Sequence, residues 1–312
     1  MPQAKVVFGV IASLLVGTIQ LGDAIYVILF NKLVYPCAPT LFLPMVPHHS
    51  KQQWSAESVY APTKIICPKN HSFCQSIIPD IEHIIPRAFQ TIQDVLYTSP
   101  SVNSAESKSK FRFNPFIPAQ DLVTIYLSYF EESSNPHIET LGYTKVPSPT
   151  EVHINFTYFE PSAKQHVQAA RWAFMGTITH ELTHVFAHEI ARPQNFGRLN
   201  ARQHAFLLPP LGLLEGIATY VQLHGGAYLP PIRSPRSSEQ LTRWDAGYDE
   251  TAMFLLWLET VKFEPGVVGL INDRILRVGY VREGEHEFWK SLFGVTIEQL
   301  WREYSEYVDS PK

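Results

Sequence analysis

The chain is short of cysteine, of net charge and of any dense run of one sign. Its 312 residues include three cysteines and carry a formal net charge of −4. A charge so weak, with no basic stripe, argues against an electrostatic nucleic-acid binder. There is no internal repeat and no phosphate-binding glycine loop, which removes repeat architectures and that mode of nucleotide binding. Cys67 and Cys74 can form a local disulfide in an oxidising compartment, leaving Cys37 over; three free thiols are the other reading. What the chain does have is apolar content. At 45% hydrophobic residues it supports a sizeable core in one or two domains.

One stretch names a chemistry: His180-Glu181-Leu182-Thr183-His184. Two histidines four apart on a helix differ by about 40° of rotation and one turn of rise, so both imidazoles can reach one metal ion. Glu181 then lies beside a water bound to that metal, where it can take a proton. This is the HExxH signature of zinc peptidases. Upstream, Ala169, Ala170, Trp172, Ala173, Phe174 and Met175 lead into Ile178, Leu182, Val185 and Phe186, a helical pattern apolar enough for a largely buried helix. Buried polar groups without partners cost about 1–3 kcal/mol each, a cost that a bound zinc removes. The competing reading is a helix with satisfied core histidines.

Catalytic zinc takes three protein ligands and keeps a position for water. His188, four residues beyond His184, has rotated about 80° from His180, and three ligands from one straight helix do not make a tetrahedral cap. The HExxHxxGxxH pattern is absent too, because Ala187 and Ile190 occupy its glycine and last histidine positions. Glu215 is the better candidate. It sits in a second helix whose stripe is Leu214, Ile217, Ala218 and Val221, next to Gly216, which predicts a close approach to the first helix. A solvated glutamate on an amphipathic helix is the alternative.

These motifs make the chain similar to a known family. HELTHVFAH, LLEGIATYVQL and the run Trp244 to Leu255, with a closing segment from Phe288-Trp289 to Tyr304, resemble the basic secretory protein family, gluzincin-like metallopeptidases of plants, fungi and bacteria. The resemblance covers roughly residues 79–307. It implies Zn2+ held by His180, His184 and Glu215, with Glu181 as general base. The chain departs from the family in its slight acidity, in a longer stretch before the first helix block, and in Ala187-His188 after the motif. The implied reaction is hydrolysis of a peptide or protein substrate by a metal-activated water. Its oxyanion needs a further donor. Tyr248 is assigned that role because its block resembles one placed just after the third-ligand helix; His204 and Tyr220 are rivals, and a plain core aromatic is an equal reading. Asp249 either orients a zinc-binding histidine or caps the helix expected to begin at Glu250.

The expected fold class is α+β: a zincin-like domain with a small sheet packed on the motif helix and a mainly helical C-terminal half. Residues 1–32 are expected to be an uncleaved signal anchor, since Val6 to Phe30 is almost wholly apolar and long enough to span a bilayer. A cleaved signal peptide or a buried helix are the alternatives. Residues 33–75, rich in proline, read as a stalk, and 76–312 as the catalytic domain. The expected location is therefore a membrane, with the catalytic domain lumenal or extracellular. Asn70 and Asn155 open possible glycosylation triplets. Within the domain, Ile81 to Leu96 is expected as a helix, 122–127 and 152–159 as strands, and Thr296 with Gln299 as a capping box. Residues 225–243 read as a loop, lining the substrate cleft or lying on the surface.

Two further functions stay open. An aminopeptidase would need an acidic anchor for a free amine, and no GxMEN-like segment is present. A non-catalytic binding protein on the same fold is argued against by the intact Glu181.

Overall fold

The computed structural model describes residues 5–11, 14–21, 24–31, 61–68, 72–98, 113, 115, 117–118, 122–128, 141–144, 151–155, 159, 167–187, 209–225, 234–280 and 287–310. For residues 5–11, 14–21, 24–31, 68, 72–82 and 167–169 the description extends to the backbone alone. The chain divides into two compact units: Met1–Gln90 with Pro118–Val185, and Thr91–Ile117 with Phe186–Lys312.

The first unit contains a mixed sheet. Its strands are β1 (Lys5–Ile11), β2 (Leu14–Leu21), β3 (Ala24–Asn31), β4 (Thr63–Pro68), β5 (Val123–Ser128), β6 (Gly142–Thr144) and β7 (Glu151–Asn155), in the order β1-β2-β3-β4-β5-β7-β6. β4, β5 and β7 run parallel; every other neighbouring pair is antiparallel. Parallel neighbours need a crossover, and helix α1 (Ser72–Leu96) stands between β4 and β5 in the chain. Period-2 patterning decides which face is core. Val123, Ile125, Leu127, Val152 and Ile154 are buried, while Thr124, Tyr126, Glu151 and His153 face the other way and are half-buried. On that second face three rings stack across neighbouring strands. His153 lies between Tyr126 at 4.7 Å and Tyr143 at 4.6 Å, both nearly parallel to it.

The N-terminal expectation is overturned. Val6 to Phe30 falls in β1, β2 and β3, and no helix among the described residues is long and apolar enough to cross a membrane. The single-pass anchor, and the location that rested on it, do not stand. The segment carries many β-branched residues, and Gly22-Asp23, a hairpin-favouring pair, separates β2 from β3 in sequence. Pairing between strands meets the same backbone hydrogen-bond demand that a helix would meet internally. The proline-rich stretch is likewise more regular than expected. Thr63–Pro68 is an interior strand, and α1 starts at Ser72, nine residues before Ile81, passing through Pro79. Cys67, buried in β4, is disulfide-bonded, so the free-thiol reading fails for it. Its sulfur partner lies outside the described side chains.

Helix α2 (Val167–Ala187) carries the histidine motif. From Gly176 to Ala187 every residue is buried, so this part of the helix is enclosed around its whole circumference. Two of its three buried threonines bond within the helix: Thr179 donates to the Met175 carbonyl and Thr183 to the Thr179 carbonyl, both at 2.7 Å. Asn155, at the end of β7, is 8% exposed and does not offer its amide to a glycan.

The second unit is mainly helical. α3 (Leu211–His224), α4 (Tyr248–Trp257), a π-helical turn (Leu258–Lys262), α5 (Val267–Val278), α6 (Phe288–Phe293) and α7 (Ile297–Asp309) follow in order. Trp244, Phe254, Trp257, Tyr280, Trp289 and Tyr304 form a continuous set of ring contacts, and the Trp289 indole donates to the Tyr280 hydroxyl. Thr296 caps α7 by accepting from the Gln299 N–H, but the Gln299 side chain donates to Glu303 instead of closing a capping box. The molecule is thus α+β, with a mixed sheet and a mostly helical C-terminal half.

Candidate metal centre

The motif residues sit where a metal site needs them. His180, Glu181 and His184 are 8%, 5% and 5% exposed. The Nε2 atoms of His180 and His184 are 3.2 Å apart and their rings are nearly perpendicular, so both nitrogens converge on one point. A tetrahedral ion bound at the usual zinc–nitrogen length separates two ligand nitrogens by about 3.3 Å. The observed spacing matches that edge.

Glu215, on α3 of the second unit, is the third candidate. His180, His184 and Glu215 are a group that could hold a metal ion. Two imidazoles and a carboxylate form a donor set suited to zinc, and the residues present fit such an ion. His188 and His204, the alternative ligand and an alternative oxyanion donor, lie outside the described residues.

Glu215 is positioned by backbone packing within the second unit. A Cβ on Gly216 would lie 2.2 Å from the Thr251 methyl, and one on Gly212 would lie 1.9 Å from the Asp245 carbonyl oxygen. Both glycines therefore let α3 meet α4 and the loop Trp244–Gly247 at backbone distance. The close approach expected between Gly216 and the motif helix is in fact one to Thr251. That residue is fully buried, accepts from the Gly247 N–H at 2.9 Å and donates to the Trp244 carbonyl at 2.9 Å. A Cβ on Gly247 would stand 3.6 Å from Glu215 Cβ, so the same loop runs alongside the proposed ligand.

Tyr248 follows directly. Its φ is +40°, the one positive value among described residues other than glycine, and its side chain is 59% exposed. A bulky side chain held in the left-handed region stores about 1–3 kcal/mol of strain, and such strain concentrates at functional sites. It is not a core aromatic. Tyr220 is removed as a rival, since it is 1% exposed and its hydroxyl donates to Glu259 at 2.8 Å. Burial first, and then the Glu259 carboxylate, push its phenol far above the usual range. Asp249 is not the helix cap: α4 begins at Tyr248 with Gly247 at its N-cap, placing Asp249 inside the first turn, where a negative charge suits the helix dipole. Of the loop 225–243, the stretch Ser234–Arg243 is tied down. Ser238 bonds Asp309 through both its N–H and its hydroxyl, and Thr242 and Arg243 bond the Glu250 carboxylate.

One neighbour of Glu181 has no signal in the sequence. Thr144, on β6, places its hydroxyl oxygen 2.8 Å from Glu181 Oε2 and 3.0 Å from the Glu181 carbonyl oxygen. A three-residue strand gives too little periodicity to detect, and no motif marks it.

The family model for BSP, described as peptidase of plants and bacteria, matches residues 67–304. No curated protein matches the chain, and no solved structure does.

Proposed function

Because the chain belongs to this family of plant and bacterial peptidases, we propose that it is a zinc-dependent peptidase acting on peptide or protein substrates, with Glu181 as general base. The observation that carries the reading is the convergence of the His180 and His184 Nε2 atoms, 3.2 Å apart, beside the buried Glu181. A zinc ion held by His180, His184 and Glu215 would supply Lewis acidity, which would acidify a water and polarise the scissile carbonyl. Glu181 accepts the water's proton on its carboxylate and later delivers it to the leaving amine. Tyr248 donates its exposed hydroxyl to the oxyanion that develops on the substrate. The strain at its backbone and the loop that runs beside Glu215 support that role. The fold we propose is zincin-like, which fits a sheet strand, β6, touching the motif glutamate.

The test is the zinc content and turnover of the full chain. Wild type binds about one zinc per chain; His184→Ala and Glu215→Ala lose it; Glu181→Gln keeps it and loses hydrolysis of a peptide library. A folded wild type without zinc would move the assignment to a non-catalytic binding protein. Persistent turnover in Glu181→Gln would remove the base.

A further inference from the structure

We propose that Thr144 is a positioning residue for Glu181, fixing which carboxylate oxygen faces the reacting water; the inference rests on the peptidase reading above. Strand β6 touches Glu181 at two points. Thr144 Oγ1 donates to its carboxylate at 2.8 Å, and a Cβ on Gly142 would come within 3.3 Å of Glu181 Cγ. Gly142 and Thr144 are two residues apart on a strand and so share a face. The glutamate is therefore flanked by a hydrogen bond at its end and close packing at its stem.

The Thr144 hydroxyl has one proton and two acceptors, Oε2 and the Glu181 carbonyl oxygen. Donation to Oε2 ties that oxygen to β6 and so fixes the rotation of the carboxylate, and with it the direction in which Oε1 faces. Glu181 is 5% exposed, so little water competes for this bond and the carboxylate orientation is set by protein groups. A base acts only within about 2.6–3.2 Å of the proton it takes, and a rotation of one carboxyl torsion removes that reach.

What holds Thr144 is the sheet. β6 pairs with β7 through Gly142 with Ile154, Tyr143 with His153 and Thr144 with Val152. The next residue's ring, Tyr143, stacks on His153, which stacks on Tyr126 of β5. A strand of three residues is thus pinned by aromatic contact on the face opposite Glu181. The residue that reaches the base is on an anchored edge, as a positioning role requires.

Two readouts decide the matter. Crystal structures of Thr144→Val and Thr144→Ser, compared with wild type, read the Glu181 side chain directly and need no turnover. Expected is a reoriented or doubly occupied carboxylate in Thr144→Val and the wild-type orientation in Thr144→Ser. An unmoved carboxylate in Thr144→Val would overturn the proposal. Should that variant fail to fold, Thr144→Ala takes its place. In the zinc-loaded full chain, Thr144→Val lowers kcat by about 10–100-fold with KM and zinc stoichiometry unchanged, and serine restores most of it. An unchanged kcat would also overturn it. A wild type without turnover would defeat the peptidase reading alone, and the crystal structures would still decide the role of Thr144.

Discussion

Helix α2 presents two candidate ligands and α3 one, and the two helices fix them by opposite means. In α2, His180, Glu181 and His184 stand among apolar neighbours on a helix buried on every side from Gly176 onward, so side-chain burial sets their geometry. In α3, Glu215 is half-buried, and its place is set by close packing of the helix backbone, at Gly212 against the Asp245–Gly247 backbone and at Gly216 against the Thr251 side chain. The first arrangement concentrates its cost in desolvated polar groups. The second concentrates it in two positions where no side chain fits. The metal centre proposed above is therefore vulnerable at residues that never touch a substrate.

The largest expected effect lies on the α3 side. Gly212→Ala drives a methyl to 1.9 Å from the Asp245 carbonyl oxygen, and neither backbone can swing aside as a side-chain end would. It lowers stability by about 3 kcal/mol, read as a shifted urea midpoint. A change under about 0.5 kcal/mol would show that α3 does not depend on contact with the 244–247 loop. Thr251→Val comes next, keeping the shape beside Gly216 while leaving the Gly247 N–H and the Trp244 carbonyl without their partner. The expected loss is about 1–3 kcal/mol, with zinc affinity falling alongside. Loss of stability with zinc affinity intact would separate the loop from the ligand helix.

Tyr248 sharpens the contrast in the other direction. Glycine accepts φ of +40° without strain, so Tyr248→Gly keeps or raises the melting temperature, by about 1 kcal/mol in the strain term, while removing the hydroxyl donor and lowering kcat. A drop in both would mean that the ring packs more than it acts. The smallest effect concerns the tether of Ser238 to Asp309. The Ser238 hydroxyl and then its N–H hold the Asp309 carboxyl below its usual range. A depressed carboxyl contributes stability above its unfolded pKa, and that contribution is lost as pH falls through the lower folded value. Asp309→Asn should flatten this acid limb slightly, with no change near neutral pH in zinc content.

The sequence made one of these two arrangements far more readable than the other. The motif in α2 is five contiguous residues whose types and spacing state a chemistry, and the structure brings both histidines to one point. Glu215 was reached through helical periodicity and family resemblance, because burial of Leu214, Ile217, Ala218 and Val221 follows from local pattern. What Gly216 faces did not follow. A glycine signals that some backbone is close without saying which, and Thr251 is known to be the neighbour only from the fold. Thr144 is the extreme case: its relevance depends on one strand being placed next to Glu181, a long-range fact with no local trace. The N-terminus misled for a different reason. Apolar length is shared by a membrane helix and by successive strands of a sheet, and the β-branched residues and the Gly22-Asp23 pair carry the distinction that length does not.

The parallel pairing at the middle of the sheet sets an order of assembly. Tyr143 meets His153 across an antiparallel pair only ten positions apart, so β6 and β7 can associate early as a local element. Thr63, by contrast, must find Val123, sixty positions away, with α1 standing between them in the chain. That closure is entropically expensive before any contact rewards it, and it slows folding. Refolding should therefore proceed in two stages, with the β6–β7 edge beside Glu181 gaining amide protection before β4 docks on β5.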